Sequence, residues 1–398
     1  MNATLNVKPS IGSNGPIGAV AAPLLAPAGP SVVLGEADPL IGPVSPDACT
    51  LFGPRGACLL DEAGPLWICD TGHHRLLGWR QCPTEDHQPA DWIIGQPSVY
   101  AEGRNALGEP GPETLNVPTG INPFGDDGLV VSDGWNNRVL IWKKRPEGSH
   151  VPADIVLGQR SFQTHLPNHG TDQAEADSMH WPFQALTHQG MLFVADTGNR
   201  RVLIWKTLPE HAAQPADIVL GQGDLRSRSD NGGQAAGPAG MRWPHDLAIL
   251  DGNLVVTDAG NNRILIWDGI PTDNNTPADI VLGQKDFAAV DHNQGQYWPW
   301  DAKVNMPYAV STHRGWILTA DTGNSRLMGW KTPFTHGAPA SHMSGQPHWR
   351  AKGDNRWQAP ARDSVCWPYG IQAIGNRVVL ADTGNHRVVL WDFAEGIG

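Results

Sequence analysis

The sequence predicts an all-β fold, a six-bladed β-propeller of four-stranded antiparallel blades. Three observations predict it: a motif repeated at a fixed period, a strand-and-turn pattern around each copy, and a composition suited to many short strands. The motif runs from Asp to Arg and is followed by an apolar stretch and a Trp. Its copies are Asp70-Thr-Gly-His-His-Arg75, Asp133-Gly-Trp-Asn-Asn-Arg138, Asp196-Thr-Gly-Asn-Arg-Arg201, Asp258-Ala-Gly-Asn-Asn-Arg263, Asp321-Thr-Gly-Asn-Ser-Arg326 and Asp382-Thr-Gly-Asn-His-Arg387. Successive aspartates are 63, 63, 62, 63 and 61 residues apart. A constant period of this kind marks a repeat architecture. Gly 46 and Pro 34 make about a fifth of the 398 residues, which suits short strands joined by tight turns.

The fourth unit shows the elements in order. Trp243–Leu250 reads as a first strand and Asp251-Gly-Asn253 as a hairpin turn. Leu254–Thr257 is a second strand, ending at Asp258. Ala259-Gly-Asn-Asn262 is a turn whose Gly and Asn tolerate positive φ. Arg263–Trp267 is a third strand and Asp279–Gln284 a fourth. Enrichment in β-branched and aromatic residues, with turn residues between the runs, supports strands over helices. Four antiparallel strands in each of six units make a propeller.

The fourth strand recurs at Asp91–Gln96, Asp154–Gln159, Asp217–Gln222 and Asp279–Gln284, and decays to Ser341-His-Met-Ser-Gly-Gln346 in the fifth unit. After Trp391-Asp392 the sixth unit has no fourth strand. The missing piece, Ser31-Val-Val-Leu-Gly-Glu36, stands at the other end of the chain, so an N-terminal strand over 31–36 is expected to pair with the C-terminal blade and close the ring. The Ala-Asp-Thr-Gly-Asn-x-Arg-Val-x-x-Trp segments and the Pro-containing first strands before them resemble the NHL-repeat family of β-propellers, over roughly residues 31–392. The resemblance implies the fold. For function it implies only a range, because NHL-like propellers include RNA binders, protein-interaction domains, sensor domains and a metal-dependent lyase. A long insertion between each fourth strand and the next first strand departs from the family's pattern.

Two regions follow: a flexible arm over 1–30 and a single propeller domain over 31–398. Residues 17–29 have the look of a signal peptide's apolar region, but prolines break the run and Lys8 is the one cation before it. No apolar run is long enough to span a bilayer, so no membrane partner and a cytoplasmic location are expected. The net charge of −12, without any basic run, disfavours nucleic acid. A propeller fills its own ring, so a monomer is expected. The five cysteines match no CxxC spacing. Cys58 and Cys69 flank the first hairpin, where a disulfide is geometrically possible. The small residues at the place of Cys69 in other units (Ser132, Ala195, Thr257, Ala320, Ala381) favour instead a small core residue.

What all six units share is read as structural. Each Asp and Arg satisfies backbone groups and its partner, and the third-strand Trp79, Trp142, Trp205, Trp267, Trp330 and Trp391 pack blade against blade. Function is sought where the units differ. First strands line the channel, and if they run from top to bottom, the long insertions and the Asp–Arg turns share the top face. Around the repeated Pro of each first strand stand Phe52 and Arg55, Asn116 and Thr119, His180 and Phe183, Arg242 and His245, Asn305 and Tyr308, and Cys366 and Tyr369. Ligand contacts are expected from Arg55, Asn116, Phe183, Arg242, Asn305, Tyr308 and Tyr369. His180 and His245, from neighbouring blades, are candidate ligands for a divalent transition metal, which needs further donors such as His165, His169, His292, His73 or His74. No cofactor is required by the sequence. Four more tryptophans (Trp298, Trp300, Trp349, Trp357) fall in the insertions flanking the fifth unit and are candidate anchors for a partner. The expected function is therefore a non-catalytic binding propeller that holds a protein segment or small ligand at its top face and channel mouth. The alternative is a metal-dependent lyase or hydrolase at the same mouth.

Overall fold

A computed structural model of the chain describes residues 20–35 and 45–397. These residues form six sheets, one per unit. The blades are Gly56–Leu59, Leu66–Asp70, Arg75–Trp79 and Trp92–Ile94; then Pro118–Phe124, Gly128–Asp133, Arg138–Trp142 and Ile155–Leu157. The third is Pro182–His188, Met191–Asp196, Arg201–Trp205 and Ile218–Leu220; the fourth is Pro244–Leu250, Asn253–Asp258, Arg263–Ile266 and Ile280–Leu282. The fifth is Pro307–His313, Trp316–Asp321, Arg326–Lys331 and His342–Ser344; the sixth is Pro368–Ile374, Arg377–Asp382 and Arg387–Asp392. Val32–Gly35 completes the sixth blade by antiparallel pairing, with Val33 opposite Val389, so the ring closes as the sequence suggests. Of the expected strand 31–36, Glu36 lies outside the described residues.

Each third-strand Trp is buried and packs on the preceding blade, Trp205 against Val130 and Ile141, and Trp267 against Phe193 and Ile204. Its indole N–H must also find an acceptor. In five blades that acceptor is a carbonyl in the loop that follows: Gln88, Val151, Gln214, Thr276 or Ala338. In the sixth blade Trp391 donates to the carbonyl of Ala26, in the N-terminal segment, instead.

This bond explains the main departure from expectation. From Val20 onward the segment read as a loose arm is seated on the ring. Ala22–Pro23 adds a parallel strand to the outer edge of the fifth blade, and Leu24 and Leu25 are buried. The N-terminal segment thus supplies both the fourth strand of the sixth blade and the acceptor for its Trp391. Residues 1–19 lie outside the described residues. The degenerate fifth-unit segment still pairs, with Met343 opposite Met328, because a ladder needs backbone groups rather than particular side chains.

The first hairpin closes one residue earlier than its symmetry in the sequence suggests, with Leu59 opposite Leu66. Cys58 therefore faces Trp67 and Cys69 faces Gly56, and both thiols are buried and free. Trp205→Ala is expected to cost about 3–5 kcal/mol in chemical denaturation. Deleting residues 1–29 takes the acceptor from Trp391 and the cover from the fifth blade, and lowers the melting midpoint. Deleting residues 1–35 also opens the sixth blade; it lowers the midpoint further and promotes association. An unchanged midpoint in the longer deletion contradicts the closure.

Candidate functional site

The Asp–Arg turn builds the rim of the channel. In the third unit, Oδ2 of Asp196 accepts from Nε of Arg201 at 2.7 Å and from the amide of Asn199 at 2.8 Å. Oδ1 of the same carboxylate accepts the backbone N–H of His180. The other end of the Arg201 guanidinium donates to the carbonyls of Glu175 and Ser178 in the preceding long loop and of Leu225 in the following one. All six Arg Nε–Asp Oδ2 pairs lie at 2.7–2.9 Å. Each carboxylate also fixes one rim residue by its N–H: Phe52, Asn116, His180, Arg242, Asn305 or Cys366. One buried charge pair per blade thus ties the turn, two loops and the rim together.

His73 takes the place of the turn Asn in the first unit, its Nδ1 meeting Asp70 Oδ2 at 2.8 Å. Nδ1 of His74 accepts the backbone N–H of Val117. Both are tied into the rim through Nδ1.

Below the rim, the residue after each repeated Pro points its chemistry into the channel. Four of the six form a continuous aromatic arc. Phe183 and His245 have ring centroids 4.4 Å apart, His245 and Tyr308 are stacked at 4.2 Å, and Tyr308 meets Tyr369 edge-on at 4.6 Å. Phe183 and Tyr369, from opposite blades, are 6.4 Å apart, so the rings nearly close the channel. Thr119 turns its hydroxyl onto the Phe183 carbonyl. Arg55 lies over the ring of Tyr369 at 5.2 Å. In four of the six first strands the next residue is Gly or Ala, which lets neighbouring strands approach closely; a Cβ on Gly370 would meet the Arg55 carbonyl at 2.3 Å.

The channel is rich in unmet polar capacity. Among the described residues, the Arg55 guanidinium has no ion-pair or hydrogen-bond partner, and burial lowers its pKa from the ordinary value. His245 donates from Nδ1 to the Trp243 carbonyl at 2.8 Å, leaving Nε2 buried and unpaired. Burial pushes the His245 pKa down to about 4, so the ring is neutral at physiological pH. Burial also raises both tyrosine hydroxyls above their ordinary range.

Beside His245 stands Asp246, a carboxylate that sequence reading missed. It is buried without a cation; it accepts the N–H groups of Leu247 and Val310, the Gln184 side chain lies within hydrogen-bond reach, and burial pushes it up to about 7. The signal was present in the sequence, since its counterparts are Gly56, Gly120, Gln184, Ala309 and Gly370.

The candidate metal ligands His180 and His245 stand in different settings. His180 sits on the rim with Nδ1 unpaired, while His245 is clasped between Phe183 and Tyr308. Among the described residues, the one grouping of three potential donors is His169, Glu175 and Asp177, which contains neither.

The loop tryptophans divide. Trp298 and Trp300 are exposed, and with Tyr297, Lys303 and Arg350 they line an open cleft of about 330 Å³. Lys352 lies 3.6 Å above the Tyr297 ring and Arg350 lies 5.8 Å from that of Trp300. Trp357 is exposed on the next loop. Trp349 is buried in the inter-blade core and its carbonyl accepts from Arg326, so it packs the loop and presents no surface to a partner.

His245 and Asp246 give opposite pH signatures. The folded chain holds His245 neutral, so its stabilisation is complete above about 6.5 and is lost as pH falls toward 4, at most about 3 kcal/mol. The folded chain holds Asp246 protonated, so its contribution is complete below 3.8 and is lost as pH rises toward 7. His245→Phe is therefore expected to flatten the acid-side loss of stability in urea titrations. Relative to the parent, stability rises on the acid side; an unchanged difference across the window contradicts a buried neutral ring.

The family profile described as NHL repeat matches residues 241–267, the first three strands of the fourth unit. No curated protein is similar in sequence at a significant level. In three dimensions the chain is similar to an auxiliary nutrient binding protein from Bacteroides thetaiotaomicron, with a TM-score of 0.54 at 11% identity, covering 92% of this chain and 76% of that one. A protein of unknown function from the same organism gives 0.53 at 10% identity, over 92% and 75%. A virginiamycin B lyase from Staphylococcus aureus gives 0.43 at 13% identity, over 86% and 96%. At these identities the likenesses to the two Bacteroides proteins concern the fold alone. The Asp–Arg motif within the matched segment occurs six times in this chain, and its turn has one geometry in all six; the chain is a six-bladed β-propeller whose fourth unit matches the NHL repeat.

Proposed function

We propose that this chain is a non-catalytic binding propeller whose channel mouth holds a small anionic ligand, a carboxylate carrying an apolar or aromatic group. The observation that carries this reading is the Arg55 guanidinium, set among aromatic rings with no anion of its own. A partly buried cation without a counter-charge is costly, and the face of Tyr369 offsets only part of that cost. A carboxylate takes the guanidinium in a two-point bond. The hydroxyls of Tyr308 and Tyr369 supply further donors, and Phe183 and His245 supply apolar walls. Asn116, Arg242 and Asn305 on the rim meet what protrudes.

The metal-dependent lyase or hydrolase is the weaker reading, because among the described residues no grouping of three close donor residues includes His180 or His245. The cleft of Trp298 and Trp300 is a separate surface, cationic on an acidic protein, which suits contact with an acidic protein segment. No helix of the described residues is long and apolar enough to cross a membrane. Five free thiols agree with a cytoplasmic setting, and a closed ring with a monomer.

Calorimetry with phenylacetate, benzoate and acetate tests the reading. Phenylacetate and benzoate are expected to bind more tightly than acetate, and Arg55→Met to weaken them about tenfold or more, consistent with loss of a charged hydrogen bond. Binding of all three at equal strength, or unchanged by Arg55→Met, contradicts it. Trp300→Ala is expected to leave carboxylate binding intact.

A further inference from the structure

The long loop between the second and third blades carries a second polar centre, away from the channel. His169 follows Asn168, and both have left-handed backbone, at φ 49 and 56. The loop is firmly held there. Asn168 donates its N–H to the Met179 carbonyl and exchanges amide hydrogen bonds with Asn199. The His169 side chain is only 9% exposed, yet neither ring nitrogen has a partner. Its Nδ1 lies 3.8 Å from Oε2 of Glu175, and donor atoms of His169, Glu175 and Asp177 all lie within 4.8 Å of one another.

The ring contains its own comparison. The loops before the fifth and sixth blades carry Gln294 and Arg356 at the place of His169, each after an Asn in the same left-handed conformation. Gln294 folds back onto the carbonyls of Gly283 and Ala302. Arg356 donates to the Gly345 carbonyl and to Asp363, with Nη2 2.8 Å from Oδ2. Asp363 corresponds to Asp177, since the serine after each bonds the loop asparagine. In the sister loop, therefore, a fixed positive charge sits against this carboxylate. Here the arginine is replaced by a shorter imidazole, and a second carboxylate, Glu175, is added. Among the described residues, the Arg or Lys side chain within ion-pair distance of the Glu175 carboxylate is Arg160, at 3.8 Å and 68% exposed.

We propose that His169, Glu175 and Asp177 bind a divalent transition-metal ion, with Zn²⁺ the best fit to one imidazole and two carboxylates. Zinc held at about 2.0–2.2 Å places tetrahedral ligands about 3.4 Å apart, so a slight inward swing of the exposed Glu175 completes the site. Three protein ligands leave one position for water. The ion supplies the charge that Arg356 supplies in the sister loop, and it gives the buried imidazole a partner.

The test is titration of chelator-treated protein with Zn²⁺ against a chromophoric competitor at neutral pH. One equivalent is expected. His169→Ala and Asp177→Asn should each weaken it about tenfold or more, and His165→Ala, in the same loop, should not. His169→Arg, which repeats the sister loop's ion pair, should fold normally by circular dichroism and bind no zinc at the site. Absence of a one-equivalent phase overturns the proposal, and so does a phase that survives in folded His169→Arg and Asp177→Asn.

Discussion

The structure depends on one buried ion pair, repeated six times. A carboxylate buried in a turn needs compensation on every lone pair. Here Oδ2 of each Asp takes the guanidinium and, in most units, the turn amide, while Oδ1 takes the N–H of a rim residue. The remaining guanidinium donors reach carbonyls of long loops. A long loop without regular structure otherwise leaves its polar backbone to water. The pair converts six such loops into fixed parts of the top face. The repeated Gln of the fourth strand acts beside it; Gln222, for example, donates to the Arg200 and Ser229 carbonyls, joining a turn to the loop that follows.

Because every blade solves this problem in the same way, the positions inside the frame are free to differ. The residues after the six repeated prolines are Arg, Thr, Phe, His, Tyr and Tyr. They differ in charge and shape but lie at one height in the channel, set by identical turns above them. The arrangement is a rigid mount with exchangeable side chains, which is what precise positioning of a ligand asks of a scaffold. The same principle acts in the loops, where one left-handed position carries Ala106, His169, Gly232, Gln294 or Arg356.

Much of this was legible in the sequence, and for a definite reason. Periodic constraints leave periodic residues, so the Asp–Arg motif, the third-strand Trp and the displaced strand 31–36 revealed the blades, their packing and the closure. The inner ring was legible by subtraction, as the position that varies where its neighbours repeat. What escaped was set by contacts between distant segments. Nothing local in Ala22–Ala26 says that Trp391 lacks an acceptor, so the segment read as a loose arm. Trp349 looked like an exposed anchor because its burial depends on the fifth blade behind it. Asp246 was hidden by its abundance class, one acid among 40 Asp and Glu, and its importance comes from burial without a cation. The packing of His245 against Phe183 and Tyr308 likewise joins residues of three blades, which no local pattern shows.

We propose that the frame holds an anion at Arg55. The most direct test is a crystal structure of the protein grown with phenylacetate. The carboxylate is expected in two-point contact with the Arg55 guanidinium, within hydrogen-bond reach of the Tyr308 or Tyr369 hydroxyl, with its ring against Phe183. A channel closed by the same aromatic arc, with the ligand bound only at the Trp298–Trp300 cleft or nowhere, contradicts it.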